Sequence, residues 1–172
     1  MAGFSHERHK PLAPLDRPRE LIVACAPLRS NVNLSRIVRT AGCCGVRQII
    51  CCGTAKIIDK IARDSVDDDK NESAVEVRVH RTLAPQLREL KREGYRLVGL
   101  EQTTGSQSLY SFSFERKSVL VVGNERQGLD DEILALLDQV VEIPVYGLPY
   151  SYNVAAAASM ALYEYCRQYP RG

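Results

Sequence analysis

Apolar residues along this chain fall into short continuous runs that alternate with stripes at helical spacing. LIVACAP (Leu21–Pro27) is continuous and suits a strand buried on both faces. From Asn33 to Cys44, Leu34, Ile37, Val38, Ala41 and Cys44 share one stripe, which leaves Arg36, Arg39 and Thr40 off the core face. Ser30, Asn31 or Asn33 can supply the N-cap, and Gly45 ends the helix. RQIICCG (Arg47–Gly53) is a second strand. IIDKIARD permits one short helix, but DSVDDDKNES has no apolar pattern, and residues 55–73 are expected to be mainly a solvated loop. AVEVRVH (Ala74–His80) alternates with period two. Thr82–Glu93 carries Leu83, Leu87 and Leu90 on one stripe, YRLVGL (Tyr95–Leu100) is a strand, and a polar loop follows. SVLVVG (Ser118–Gly123) and VVEIPV (Val140–Val145) are further strands, separated by a short helix over Asp130–Leu137. Asn153–Gln168 is the last helix, apolar almost all round, and therefore destined for the core or for a partner.

Strands alternating with helices imply an α/β fold, a mostly parallel sheet covered by helices on both faces. The chain of 172 residues suits one domain over 19–172, behind a mobile lead-in at 1–18 that carries Pro11, Pro14 and Pro18 without periodicity. No apolar run is long enough to cross a bilayer, and the N-terminus has no apolar signal region, so a cytoplasmic protein is expected. The six cysteines form no CxxC pair; free thiols in a reducing compartment explain them better than a zinc site, and no metal is expected. With 23 Lys+Arg against 21 Asp+Glu the net charge is only +2, too balanced to announce nucleic-acid binding by itself.

In an open α/β sheet, ligands bind where loops gather at the carboxyl ends of strands. Three segments stand out there. In RSNVNLSRIVRTAG, Arg39 lies close to two helical turns beyond Asn33, so both can address one cleft; a capped helix with a solvated arginine is the plainer alternative. In VLVVGNERQGL, Gly123 and Gly128 enclose a tight turn holding Glu125. It is neither a Walker A loop nor GxGxxG, and an ordinary strand–helix turn is its alternative. IPVYGLPYSYNV (Ile143–Val154) joins a strand to the final helix through Pro144, Gly147 and Pro149, leaving backbone groups free to grip a flat heterocycle, although Ser151 or Asn153 can simply cap the helix.

Taken in this order, NLSRIVR (Asn33–Arg39), GNERQG (Gly123–Gly128) and IPVYGLPYSYNV resemble the three motifs of the SpoU–TrmH (SPOUT) RNA ribose 2'-O-methyltransferases, over about residue 19 to the end. GLEQTTGSQSLYSFSFERKSVLVVGNERQGL is also similar to the branch that methylates guanosine ribose in tRNA. The resemblance implies a C-terminal deep trefoil knot, S-adenosylmethionine as cofactor, and a homodimer through the knot and the final helix. It implies RNA as partner, tRNA before rRNA. It assigns Arg39, Asn33, Glu125, Ser151 and Asn153 to catalysis, and cofactor contacts to Leu100, Glu101, Gly123, Ile143, Leu148, Ser151, Tyr152 and Asn153. A guanidinium stays protonated, so Arg39 is expected to stabilise the developing alkoxide or hold a phosphate rather than act as a base.

Some positions depart from the family pattern. Tyr152 stands where leucine is usual and Ala155 where serine or histidine is common, and the acidic stretch Asp67–Glu72 repels phosphate. RNA grip is then expected from Arg29, Arg36, Arg39, Arg47, Lys56, Arg63, Arg116 and Lys117. The alternatives are a non-catalytic RNA-binding protein of this fold and a small-molecule nucleotide-binding α/β domain.

Overall fold

The computed structural model describes residues 3, 5–6, 11–52 and 75–172. The stretch 55–73, with its acidic run and with Lys56 and Arg63, lies outside the described residues. Along the described chain run β1 (Leu21–Cys25), α1 (Asn31–Cys43), β2 (Gln48–Cys52), β3 (Glu76–His80), α2 (Ala84–Arg92), β4 (Arg96–Leu100), β5 (Gln107–Ser108), β6 (Ser118–Val122), α3 (Asp131–Leu136), β7 (Gln139–Glu142) and α4 (Val154–Gln168).

The strands pair parallel throughout in one sheet of order β3-β2-β1-β6-β4-β7-β5. Continuous apolar runs are stable here because helices cover both faces. In β1, Val23 and Cys25 join the core under α1 and α4, while Ile22 and Ala24 join the core under α2 and α3. Burial pushes the Cys25 thiol up, as expected of a cysteine used as a small apolar residue.

The pairing that positions the site is β1 with β6, in register from Leu21↔Ser118 to Cys25↔Val122. Ala26 N continues the ladder by donating to Val122 O at 2.9 Å, so the loops leaving the two strands start side by side. β6 fills the place between β1 and β4, and β7 returns to the far side of β4.

Two expectations need correction, those for β5 and β7. β5 is a two-residue strand inside the expected polar loop; it is too short to carry a period and is held by its pairing with β7. β7 ends at Glu142 rather than Val145, because its partner β4 ends at Leu100, paired with Val141, and Pro144 lacks an N–H for any ladder. α4, expected in the core or against a partner, presents two faces in the single chain. Ala155, Ala158, Ala161, Leu162 and Tyr165 face the core, but Ala156, Met160 and Tyr163 form an exposed stripe. The end of the lead-in is tied down: the Asp16 carboxylate holds the Arg171 guanidinium at 2.6 and 2.8 Å, and Arg19 donates to Tyr169 O.

Candidate active site

Loops beyond the carboxyl ends of β6, β4 and β7 enclose a cavity of about 470 Å³. Of the residues singled out in the sequence, Leu100, Glu101, Gly123, Glu125, Ile143, Ser151, Tyr152 and Asn153 line it. Leu148 lines an adjoining cavity that shares Gln102, Glu142, Ile143 and Val145 with the first. Asn124, Arg126, Val145 and Val154 line it as members of the motif segments, whereas Gln102, Glu142 and Ala157 also line it and were not foreseen. Gln102 follows Glu101, so contiguity was its only signal. Glu142 had one of its own, a lone carboxylate in the otherwise apolar run VVEIPV.

Glu125 draws the three segments together. Its carboxylate accepts from Arg29 N at 2.8 Å, Ser30 N at 3.0 Å and Asn33 Nδ2 at 3.0 Å. The first two donors belong to the start of α1, where unpaired N–H groups favour an anion. Burial pushes the Glu125 carboxyl up, but these hydrogen bonds together outweigh it and hold the group below the usual carboxylate range. Asn33, only 7% exposed, uses its amide in both directions: Nδ2 donates to Glu125, and Oδ1 accepts from Asn153 Nδ2 at 3.2 Å. Asn153 caps α4 by accepting from Ala155 N and Ala156 N, while Ser30 caps α1 by accepting from Asn33 N. The α1 cap therefore binds the carboxylate directly, through Ser30 N, and the α4 cap reaches it through Asn33.

The two glycines of GNERQG are fixed by separate constraints. A Cβ on Gly123 would lie 2.6 Å from the Gly128 carbonyl carbon, because Asn124 and Gly128 close the turn through paired backbone bonds of 2.9 and 3.0 Å. Gly128 has φ +66°, which disfavours a side chain, and its Cα faces the Glu101 carboxylate. Glu101 clamps this turn from β4: Oε2 accepts from Leu129 N and Oε1 from Gln102 N, both at 3.0 Å.

Arg39 stands apart. It is exposed on α1 and is not among the lining residues. Six residues at about 100° each place it roughly 240° around the helix from Asn33, so the expectation that both address one cleft fails within a single chain. It shares an exposed stripe with Val32, Arg36 and Cys43. The expected basic residues divide as well. Arg29 leaves β1 on the cavity side, whereas Arg47 and Lys117 immediately precede β2 and β6, at the opposite end of the sheet. There Arg116 lies over the Tyr169 ring and Lys117 over Tyr95, donating to Glu93 O at 2.6 Å. These cations support the fold and do not belong to the cavity face.

Chemically, the cavity offers apolar walls (Leu100, Val122, Ile143, Val145, Val154), main-chain groups beyond the strand ends, and three carboxylates against one guanidinium, Arg126. Its volume lies within the ~300–1,000 Å³ usual for sites of small organic ligands. The composition fits a flat heterocycle attached to a cationic chain.

The SpoU rRNA Methylase family profile matches residues 20–163. The chain is 34% identical to the tRNA (guanosine(18)-2'-O)-methyltransferase TARBP1 of Mus musculus over 149 residues, 86% of this chain and 9% of that protein. It is 28% identical to the tRNA (guanosine(18)-2'-O)-methyltransferase of Escherichia coli K12 over 152 residues, 88% of this chain and 65% of that protein. It thus spans less than two thirds of either relative. Among solved structures, the TrmH/SpoU tRNA modifying enzyme of A. aeolicus superposes with a TM-score of 0.75 at 29% identity, covering 91% of this chain and 78% of that one. The SpoU methyltransferase AviRb of Streptomyces viridochromogenes, in complex with the cofactor AdoMet, gives 0.72 at 26% identity, covering 94% and 67%. With its motif segments joined around one cavity and the profile spanning most of its length, the chain belongs to the SpoU methylase family.

Proposed function

We propose that this chain is an S-adenosylmethionine-dependent methyltransferase that acts on a ribose 2'-hydroxyl of RNA, a guanosine of tRNA being the preferred acceptor. The observation that carries this reading is the chain of hydrogen bonds Glu125–Asn33–Asn153 at the cavity wall, which joins all three motif segments. The relatives' named activity and the AdoMet complex of the Streptomyces protein support the choice of reaction and cofactor.

When bound, S-adenosylmethionine supplies an electrophilic methyl on a sulfonium. The residues of this chain do the rest. Leu100, Ile143, Tyr152 and Val154 offer surface for the base, and Gly123 lets the 123–129 turn close against the cavity. Ser151 faces the cavity with a hydroxyl able to contact the acceptor. Asn33 and Glu125 are positioning residues, since their polar atoms already serve each other and the start of α1. Arg39 donates to the acceptor oxygen or a neighbouring phosphate and stabilises negative charge as the proton leaves.

Arg39 meets the cavity through a second copy of the chain. α1 and α4 pack together, with Thr40 Oγ1 3.2 Å from Ser159 Oγ. Their exposed stripes, Val32, Arg36, Arg39 and Cys43 on one and Ala156, Met160 and Tyr163 on the other, offer a mixed apolar and basic face. We assign that face to a homodimer, with the C-terminal segment 123–153 threaded as a deep trefoil knot. The insertion of β6 between β1 and β4 ahead of β7 supports the threading. Residues 19–172 act as the methyltransferase unit, in the cytoplasm.

The test is methylation of total tRNA, with mapping of ribose methyl groups, alongside calorimetric titration of the chain with S-adenosylmethionine. Binding with ribose methylation that Arg39→Ala abolishes is expected. Cofactor binding without any methylation would leave the non-catalytic RNA-binding alternative, and absence of both would remove the reading.

A further inference from the structure

Three carboxylates line the cavity, and they are not equivalent. Glu125 is consumed by Arg29 N, Ser30 N and Asn33 Nδ2. Glu101 spends one oxygen on Gln102 N and the other on Leu129 N. Both are therefore loop pins. Glu142, the last residue of β7, is held differently: its Oε2 lies 2.6 Å from the Ser106 hydroxyl, and its Oε1 accepts from no donor among the described residues. Its backbone is fixed too, because Leu109 N donates to Glu142 O at 2.8 Å. Glu142 is thus an anchored carboxylate with a vacant acceptor on the lining of both cavities.

Its place along the sheet defines what it meets. The Glu125–Asn33–Asn153 group stands over the boundary of β1 and β6, whereas Glu142 stands at β7 next to β5. β6 and β7 are separated by β4 alone, two strand spacings or roughly 10 Å. A cofactor held with its reacting end beside Ser151 and Asn153 would bring its nucleoside toward β7, past the apolar walls of Leu100, Ile143 and Val145. Adenine carries one strong donor on its edge, the exocyclic 6-amino group, and a fixed carboxylate is an acceptor only.

We propose that Glu142 is a specificity-determining residue, whose free carboxylate oxygen accepts from the 6-amino group of the cofactor's adenine. The assignment rests on the methyltransferase reading above. An anchored acceptor of this kind favours the base that carries the donor, since only the amino compound makes the charge-assisted hydrogen bond.

The test is a calorimetric cycle on the full chain with two ligands, S-adenosylhomocysteine and its analogue bearing hydrogen in place of the 6-amino group. Wild type is expected to favour the amino compound by about tenfold. Glu142→Ala is expected to abolish that preference while leaving the affinity for the 6-hydrogen analogue within about twofold, and Glu142→Gln, which keeps a neutral acceptor, to retain part of it. Equal weakening of both ligands in Glu142→Ala, or no change in either, would overturn the assignment. Wild type that binds neither S-adenosylmethionine nor S-adenosylhomocysteine would strike the methyltransferase reading, and this one with it. A thermal melt of each variant separates lost recognition from lost folding.

Discussion

The two walls of the cavity are built on different principles. At the β1/β6 wall, Glu125, Asn33 and Asn153 satisfy one another and the first N–H groups of two helices, so each atom's place is over-determined. The second wall, next to the first in the chain, is the segment from Tyr146 to Tyr152. It meets the cavity through Ser151 and Tyr152, and the adjoining one through Gly147, Leu148 and Tyr150. It leaves large side chains in solvent: Tyr146 is 82% exposed, Leu148 77% and Tyr150 80%. Among its described contacts, Gln102 Nε2 reaches Tyr150 O at a long 3.4 Å. The first wall is preorganised, which is where a reaction needs accuracy. The second leaves apolar surface to be covered by whatever binds.

The largest effect is expected from the residue that neither wall supplies. Arg39→Ala should reduce single-turnover methylation by about 10²–10³-fold, the usual cost of losing a donor to a developing oxyanion. Cofactor affinity should stay within about twofold by calorimetry, because Arg39 is outside the lining. A mixed dimer that pairs an Arg39→Ala chain with a chain disabled at Gly123 should recover activity if the arginine serves the partner's cavity; no recovery would confine each site to one chain.

Next comes the preorganised wall. Glu125→Gln keeps the shape but replaces an acceptor with a group that must donate on one side. Charge-assisted bonds contribute about 1.5–3 kcal/mol each, so loss of even one should cost roughly 10–100-fold in turnover and lower the melting temperature. If turnover of Glu125→Gln matched wild type, the contrast between the walls would have no functional content. Gly128→Ala tests the clamp that connects them. It forces a side chain to φ +66° and against Glu101, at a cost of about 1–2 kcal/mol for the backbone alone, with roughly tenfold weaker cofactor binding as the readout.

A smaller effect is the pH dependence of that first wall. The folded Glu125 carboxyl lies below its ordinary value of 4.5, so its contribution to stability is complete above that value and is lost as pH falls through the depressed folded value. Urea melts of wild type and Glu125→Gln should differ by a constant amount near neutrality and converge in acid. Smallest of all, Tyr150→Ala on the open wall should leave the melting temperature unchanged to within about 0.5 kcal/mol of stability, as for exposed positions generally. A large loss would mean that this wall is built, not open.

The strands and their burial were legible because Leu21–Cys25 and Ser118–Val122 are apolar at every position, a pattern stable only between two helical layers. The motif segments were legible too, since glycine, asparagine and proline mark turns through local sterics. β5 was not, because a two-residue strand exists only through its neighbour β7. Nor was the division of the cations. Lys117 and Arg29 look alike in a list of charges, but one precedes a strand and the other follows one, and the parallel sheet sends them to opposite ends.

The amino-acid sequence by itself determined the elements, the layered α/β class and the three segments that bear chemistry, because periodicity and turn residues act over a few neighbours. Only the tertiary structure decided which of those groups share a wall. It joined Asn33 to Glu125 and Asn153, turned Arg39 outward, and left one Glu142 oxygen on the cavity lining without a donor among the described residues. Those outcomes depend on strand order and helix phase, which bring together residues about a hundred positions apart and which no local pattern encodes.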